Sequence, residues 1–258
     1  MRRSRGLARA YPPFKALGLM LELLAAMLIL SVLFPRLQRA GRLDQTQRWA
    51  RRVLAILQVD VQCSGSAPSL AAGLVVANHV SWLDILVIQS LAPGIFVAKD
   101  EVRRWPLFGR VAQGCATIFV RRSSSRSARA MVDSSVAAFQ QGYSVVAFPE
   151  GTSTDGSDLG VFHANIFEAA IRSETPVQPL TLRYLDARTG LPSQAALFIG
   201  ETTLLASLKA VMATSSLTTQ VHIGARIDPC GHSRKSLANC LHQSIRGQLL
   251  APQPAPVA

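Results

Sequence analysis

Asn78, His79, Ser81, Trp82 and Asp84 stand together at the end of an apolar run, in the stretch GLVVANHVSWLDI (residues 73–85). A strand interior gains nothing from such a cluster, whereas a strand that ends at a reaction centre needs one. The imidazole of His79 can take a proton from an attacking hydroxyl near neutral pH. The carboxylate of Asp84 can hold the ring's other nitrogen, fix its tautomer and stabilise the imidazolium. A five-residue step does not bring both side chains to one face of a regular helix. The pair forms only if the chain turns at His79 and a helix starts near Ser81. Otherwise His79 is a helix cap and Asp84 a solvated first-turn acid. There is no G-x-S-x-G elbow, so a serine hydrolase is a poor fit. Ser81 is nearby but is not required.

Three more motifs follow apolar runs. In FVRRSSS (119–125), Arg121 and Arg122 could fork onto a phosphate or form a solvated basic turn. In FPEGTSTDG (148–156), Pro149 fixes the exit from a strand, Gly151 lets backbone approach a ligand, and Glu150 places a carboxylate there. The plain alternative is a Pro/Gly turn with a helix cap. In VQPLTLRY (177–184), Pro179 interrupts a strand and by itself signals only an edge or a bulge.

From residue 73 onward, strand-like and helix-like runs alternate. Strands are predicted at 73–77, 94–98, 116–120, 143–148, 176–183, 195–199 and 218–225, rich in Val, Ile, Phe and Ala. Helices are predicted at 125–141, with Gly142 as a stop, at 201–215 and at 234–250. The alternation implies an α/β fold whose mostly parallel central sheet is flanked by helices. Ligands of such sheets bind beyond the carboxyl ends of the strands, where all these motifs lie. The expected division is an anchor over 1–60, a catalytic domain over 61–250 and a disordered Pro- and Ala-rich tail over 251–258.

The N-terminal part reads as a membrane element. Residues 14–34, FKALGLMLELLAAMLILSVLF, are long enough to cross a hydrocarbon core of roughly 30 Å. They lack a small-residue cleavage site, which disfavours a removable signal peptide. Arg2, Arg3, Arg5 and Arg9 precede the run, and Arg36, Arg39 and Arg42 follow it. Charge on both flanks gives no orientation, and Glu22 inside the run disfavours the bilayer centre. A second helix is expected from Asp44 as N-cap with Gln47 three residues on. Its stripe of Trp49, Val53, Ile56 and Leu57, with Arg48, Arg51 and Arg52 mostly beside it, suits an interfacial helix or an ordinary core-facing one. Together they predict a hairpin seated in one leaflet.

Lys and Arg number 27 against 15 Asp and Glu, a net charge of +12. That excess suits an anionic membrane surface. Nucleic acid is disfavoured, because three Trp and three Tyr supply no aromatic interleaving of a basic stripe. Cys63, Cys115, Cys230 and Cys240 form no CxxC pair and read as reduced thiols. The His and Cys residues of 222–242 match no zinc spacing, so no metal is expected.

Taken in order, the four motifs resemble those of the glycerophospholipid acyltransferase family, which includes lysophosphatidic acid acyltransferases. The resemblance covers roughly residues 73–185. Asn78, His79 and Asp84 match the first motif, and Phe119, Val120 and Arg121 the second. Phe148, Pro149, Glu150, Gly151 and Thr152 match the third, and Val177 and Pro179 the fourth. Lys99 and the WPLFG run (105–109) fit the stretch between the first two. The resemblance implies transfer of a fatty acyl group from a thioester, on coenzyme A or acyl carrier protein, to a lysolipid hydroxyl. It implies no cofactor and a membrane-associated enzyme on the cytoplasmic face. His79 is then the base and Asp84 its orienter, and Arg121, Glu150, Gly151 and Thr152 bind the acceptor. The implied acceptor is 1-acylglycerol-3-phosphate or a related lysophospholipid. The chain departs from the family where Ser153 stands at a position often held by Arg, and where VFHANIFEAA, with His163, replaces a Lys-x-Gly helix start. These departures bring it closer to the branch with lyso-ornithine lipid acyltransferases. A non-catalytic lipid-binding protein of the same fold is the rival reading, and the intact His79, Asp84 and Glu150 argue against it.

Overall fold

Short Val-, Ile- and Leu-rich runs pair into one seven-stranded sheet among the residues described by this computed structural model, 13–66, 72–121 and 124–251. The strands are β1 (Val59–Gly65), β2 (Leu74–Ala77), β3 (Ile95–Lys99), β4 (Ile118–Val120), β5 (Val145–Ala147), β6 (Val177–Asp186) and β7 (Leu217–Ile223). Their spatial order is β1-β7-β6-β2-β5-β3-β4, and all neighbours are parallel except β6 and β7. The mostly parallel sheet expected from the alternation is therefore present. The helices are α1 (Pro13–Leu28), α2 (Arg39–Leu57), α3 (Leu83–Leu91), α4 (Phe108–Gly114), α5 (Ser125–Gln140), α6 (Phe167–Arg172), α7 (Leu204–Ala213) and α8 (Arg234–Leu250).

Period-two alternation decides which face each strand residue serves. Val75 and Ala77 of β2 join a core with Leu54 and Leu57 of α2, Leu83 and Val87 of α3 and Met212 of α7. Leu74 and Val76 join the opposite core, with Met131 and Phe139 of α5, Phe167 of α6 and Leu237, Leu241 and Ile245 of α8. Helices thus cover both faces, as a mostly parallel sheet requires.

Two expectations are corrected. Residues 195–199 are not a strand: Gln194–Ala196 is a 3-10 turn, and the Phe198 N–H bonds to the Val80 carbonyl, outside any ladder. Burial of Ala196 made the run apolar without making it a strand. Conversely, β1 was unread because VDVQCSG buries only Val59. It follows α2 directly, since Gln58 takes the left-handed conformation that ends the helix.

The N-terminal hairpin is present, with a division of labour different from the expected one. Helix α2 starts at Arg39, with extended Gln38 at its N-cap, so Asp44 is interior and pairs with Arg48. Ala50, Val53, Leu54 and Leu57 are buried in the protein core, and α2 is therefore core-facing. Gln47 and Arg51 donate to carbonyls of Ser90 and Leu91 at the end of α3. The exposed apolar face belongs to α1, which leaves Phe14, Leu17, Met20, Leu21, Leu24 and Leu28 uncovered. With a π-helical turn (Ile29–Leu33) and a 3-10 turn (Phe34–Arg36), it is long and apolar enough to cross a membrane. Glu22 is not a lone charge there: Arg52 of α2 donates to it at 2.8 Å. The N-terminal arginines and the tail beyond Ala251 lie outside the described residues.

Candidate active site

Strand β2 ends at Ala77, and the next residue replaces a rung of the ladder with its side chain. Asn78 Nδ2 donates to the Leu182 carbonyl at 3.0 Å, and the Leu182 N–H donates back to Oδ1 at 2.7 Å. This frees the backbone to turn at His79 before α3 begins at Leu83. Asp84 then falls in the first turn of α3, fully buried. Its Oδ2 accepts from His79 Nδ1 at 2.7 Å and from the Val80 and Ser81 amides at 2.8 and 3.0 Å. Its Oδ1 accepts from the Tyr184 hydroxyl of β6 at 2.7 Å. Four donors offset the desolvation of the buried carboxylate. With the Nδ1 proton directed at Asp84, the lone pair of His79 lies on Nε2. The ring stacks on Phe148, centroids 4.1 Å apart, and keeps about a fifth of its side chain exposed.

Glu150, just past β5, reaches the same turn. Its Oε1 accepts from the His79 amide and its Oε2 from the Gly160 amide, both at 2.8 Å. Burial raises its carboxyl above the ordinary value, and the two amides act in the opposite direction. Both oxygens are engaged by backbone, so the structure makes Glu150 a brace for His79. Gly151 has φ +66, and a Cβ there would meet the His163 ring at 3.1 Å. Thr152 is exposed on the same turn. The Thr154 N–H donates to the His79 carbonyl at 2.8 Å and closes the turn around it.

Arg121 follows β4, three strands from β2 in the order β2-β5-β3-β4. At strand spacings of about 4.8 Å, β4 lies roughly 14 Å across the sheet from β2. Its guanidinium is mostly exposed and held by Asp100 at 3.3 Å. The structure thus brings His79, Asp84 and Glu150 into one network and leaves Arg121 at the rim. Arg122 lies outside the described residues. Among the described residues no group of three His, Cys, Asp or Glu could hold a metal ion.

Two contributors were not legible as functional residues. In the sequence Phe148 is only part of a motif, and Tyr184 only the end of a run that Pro179 interrupts. The signal for Tyr184 is a phenol hydroxyl in a buried strand, which must find a partner. Burial, then the Asp84 charge, push its phenol well above the usual range, so it stays a donor. Tyr184→Phe removes one of four donors to Asp84. We expect a loss of about 1.5–3 kcal/mol in stability and about tenfold in turnover, read by chemical denaturation and by steady-state rates. Unchanged turnover would show that three donors suffice.

The Acyltransferase family's sequence profile matches residues 58–183, the span that carries His79, Asp84, Arg121 and Glu150. A lyso-ornithine lipid O-acyltransferase of Pseudomonas aeruginosa is 36% identical over 201 residues, covering 78% of this chain and 76% of the relative. A 1-acyl-sn-glycerol-3-phosphate acyltransferase of Neisseria meningitidis is 33% identical, covering 76% and 77%. A solved structure, the 1-acyl-sn-glycerophosphate acyltransferase PlsC of Thermotoga maritima, superposes with a TM-score of 0.61 over 91% of this chain and 96% of that one, at 22% identity. That likeness supports the sheet order and the helical layers.

Proposed function

Since the chain belongs to the Acyltransferase family, we propose that it transfers a fatty acyl group from a thioester to the free hydroxyl of a lysolipid, with His79 as general base. The observation that supports this is the His79–Asp84 pair at the carboxyl end of β2, its Nε2 left to accept a proton. The acceptor oxygen attacks the thioester carbonyl carbon as its proton passes to Nε2. The imidazolium so formed is stabilised by the buried Asp84 carboxylate. The tetrahedral adduct collapses, the C–S bond breaks, and the departing thiolate takes the proton back from His79. An ester and a free thiol result, with no acyl-enzyme and no cofactor or metal. The donor is acyl-coenzyme A or acyl carrier protein.

The acceptor reading is 1-acylglycerol-3-phosphate or a related lysophospholipid. It is supported by Arg121, whose exposed guanidinium can fork onto a phosphate from the rim. Lyso-ornithine lipid is the second reading. It is supported by the P. aeruginosa and N. meningitidis relatives dividing between the two acceptors at similar identity, and by His163 over Gly151. Helix α1 seats the enzyme in one leaflet, on the cytoplasmic face where such thioesters are made.

The test supplies the purified full chain with acyl-coenzyme A or acylated acyl carrier protein in turn, and with lysophosphatidic acid or lyso-ornithine lipid. Free thiol and product lipid are measured together. Product should appear with one donor–acceptor pair well above the rest. Thiol release with no acylated lipid would refute the transferase assignment.

Arg121 carries a separate expectation. Arg121→Ala should lower kcat/KM for the acceptor about tenfold or more and leave the donor KM nearly unchanged, because its place at the rim suits a headgroup. A rise confined to the donor KM would reassign Arg121 to the acyl carrier.

A further inference from the structure

Residues 103–110 run from a 3-10 turn into α4 through a locked turn that the transfer chemistry does not use. Between the 3-10 turn Asp100–Arg104 and α4, the Phe108 N–H bonds to the Pro106 carbonyl at 2.6 Å, closing a three-residue turn. Leu107 sits at its apex with φ +61. A leucine rarely takes that backbone conformation, and it persists only where neighbours over-determine it. Here they do. The Gly109 N–H bonds to the Trp105 carbonyl at 2.9 Å, and a Cβ on Gly109 would meet the Arg103 carbonyl oxygen at 2.3 Å. The outcome is a Leu107 side chain held 45% exposed.

Arginines surround this apolar knob. Arg103, Arg104 and Arg110 line one groove with Trp105 and Leu107. Arg103 is engaged, by Asp100 at 3.4 Å and by the Phe119 ring at 4.5 Å. Arg104 and Arg110 make no ion pair among the described residues, and Glu101 is the remaining acid of the segment. An exposed aliphatic tip, an amphipathic ring and unpaired guanidinium groups suit the boundary between headgroups and acyl chains.

The loop also adjoins the anchor. Beyond it α4 packs on the apolar helix, where a Cβ on Gly114 would lie 2.8 Å from Leu30. Val111 and Cys115 share an apolar groove with Ala26 and Leu30 of the anchor. On the catalytic side, the Trp105 ring meets Phe198 edge-on at 6.4 Å, and the Phe198 N–H bonds to the Val80 carbonyl, one residue from His79.

We propose that residues 103–110 are a second bilayer contact, specific for anionic phospholipid. Leu107 enters the acyl region, and Arg104 and Arg110 take headgroup phosphates. With α1 this makes two points of attachment, which fix the tilt of the domain and turn the Phe198–Val80 rim toward the surface. The inference rests on α1 being membrane-seated and on a lysolipid acceptor.

The test compares the full chain with an Arg104→Gln/Arg110→Gln variant and with Leu107→Gln. Vesicles of phosphatidylcholine alone, and with phosphatidylglycerol added, serve as probes. Each basic residue near an anionic surface contributes about fivefold in partitioning. The double variant should therefore bind phosphatidylglycerol vesicles about 25-fold more weakly and phosphatidylcholine vesicles about equally. Leu107→Gln should weaken binding to both. Bromination of the lipid chains should quench wild-type fluorescence more than that of Trp105→Phe. With a short-chain, monomeric acceptor every variant except Trp105→Phe, which serves only as the optical control, should turn over as wild type does. That assay also separates this proposal from the acyltransferase assignment, which fails only if the wild type is inactive there. Unchanged vesicle binding by the double variant would overturn the proposal. A raised donor KM with the monomeric acceptor would equally overturn it, and would make the groove a site for the phosphate of the acyl carrier.

Discussion

His79→Ala should lower kcat by about 10²- to 10⁴-fold, the usual contribution of a positioned general base. The imidazole is the group of the network that pairs a buried orienter with an exposed edge, and the Ser81 side chain, within the same turn, is fully buried. The fold should survive at a cost like that of Tyr184→Phe, about 1.5–3 kcal/mol, because one donor to Asp84 is lost while the Glu150 and Thr154 bonds at residue 79 are made with its backbone. The check is steady-state turnover of the purified variant together with its thermal unfolding. A stable variant that retains wild-type turnover would remove His79 from the mechanism.

Asp84→Asn should cost about as much in rate, near 10³- to 10⁴-fold, and more in stability. The carboxylate accepts from four donors and gives nothing back. An asparagine carries an NH₂ in place of one oxygen. Whichever way the amide is turned, that NH₂ faces a donor: Tyr184 on one side, or Val80, Ser81 and His79 on the other. A buried donor left without an acceptor costs about 1–3 kcal/mol. The imidazole also loses the anion that stabilises its protonated form. The expected signature is a large fall in kcat with the acceptor KM little changed, alongside a lowered denaturation midpoint. A variant as active as the wild type would leave Asp84 a purely structural cap.

The dyad was legible because it is local: six residues at a strand-to-helix junction contain both partners. Glu150 was legible as a carboxylate at a strand end, but its use was not, since the amide it braces is 71 residues distant in sequence. Tyr184 is 100 residues from Asp84, and only the adjacency of β6 to β2 brings them together. Position of Arg121 at the rim likewise depends on the strand order, which alternation of elements does not supply. The parallel strands were readable from their apolar runs. The edge strand β1 was not, because one paired side and an exposed face ask little apolar content of it. In the hairpin, apolar spacing marked both helices, but it did not separate α2, whose stripe enters the protein core, from α1, which leaves an apolar face exposed.

The connection of α2 to β1 through the single residue Gln58 has a bearing on how this enzyme could be made soluble. No flexible stalk separates the anchor from the sheet. Cutting before residue 59 would strip Leu54 and Leu57 from the core and the Gln47 and Arg51 bonds from the end of α3. The Lys15 ammonium, bonded to the Thr214 carbonyl at 3.1 Å, would go with them. A water-soluble form has to be written onto the outer face of α1, at Phe14, Leu17, Leu21, Leu24 and Leu28, leaving the backbone whole. Shortening the chain removes part of the folded body, whereas recoding the outer face of α1 leaves every one of those bonds in place.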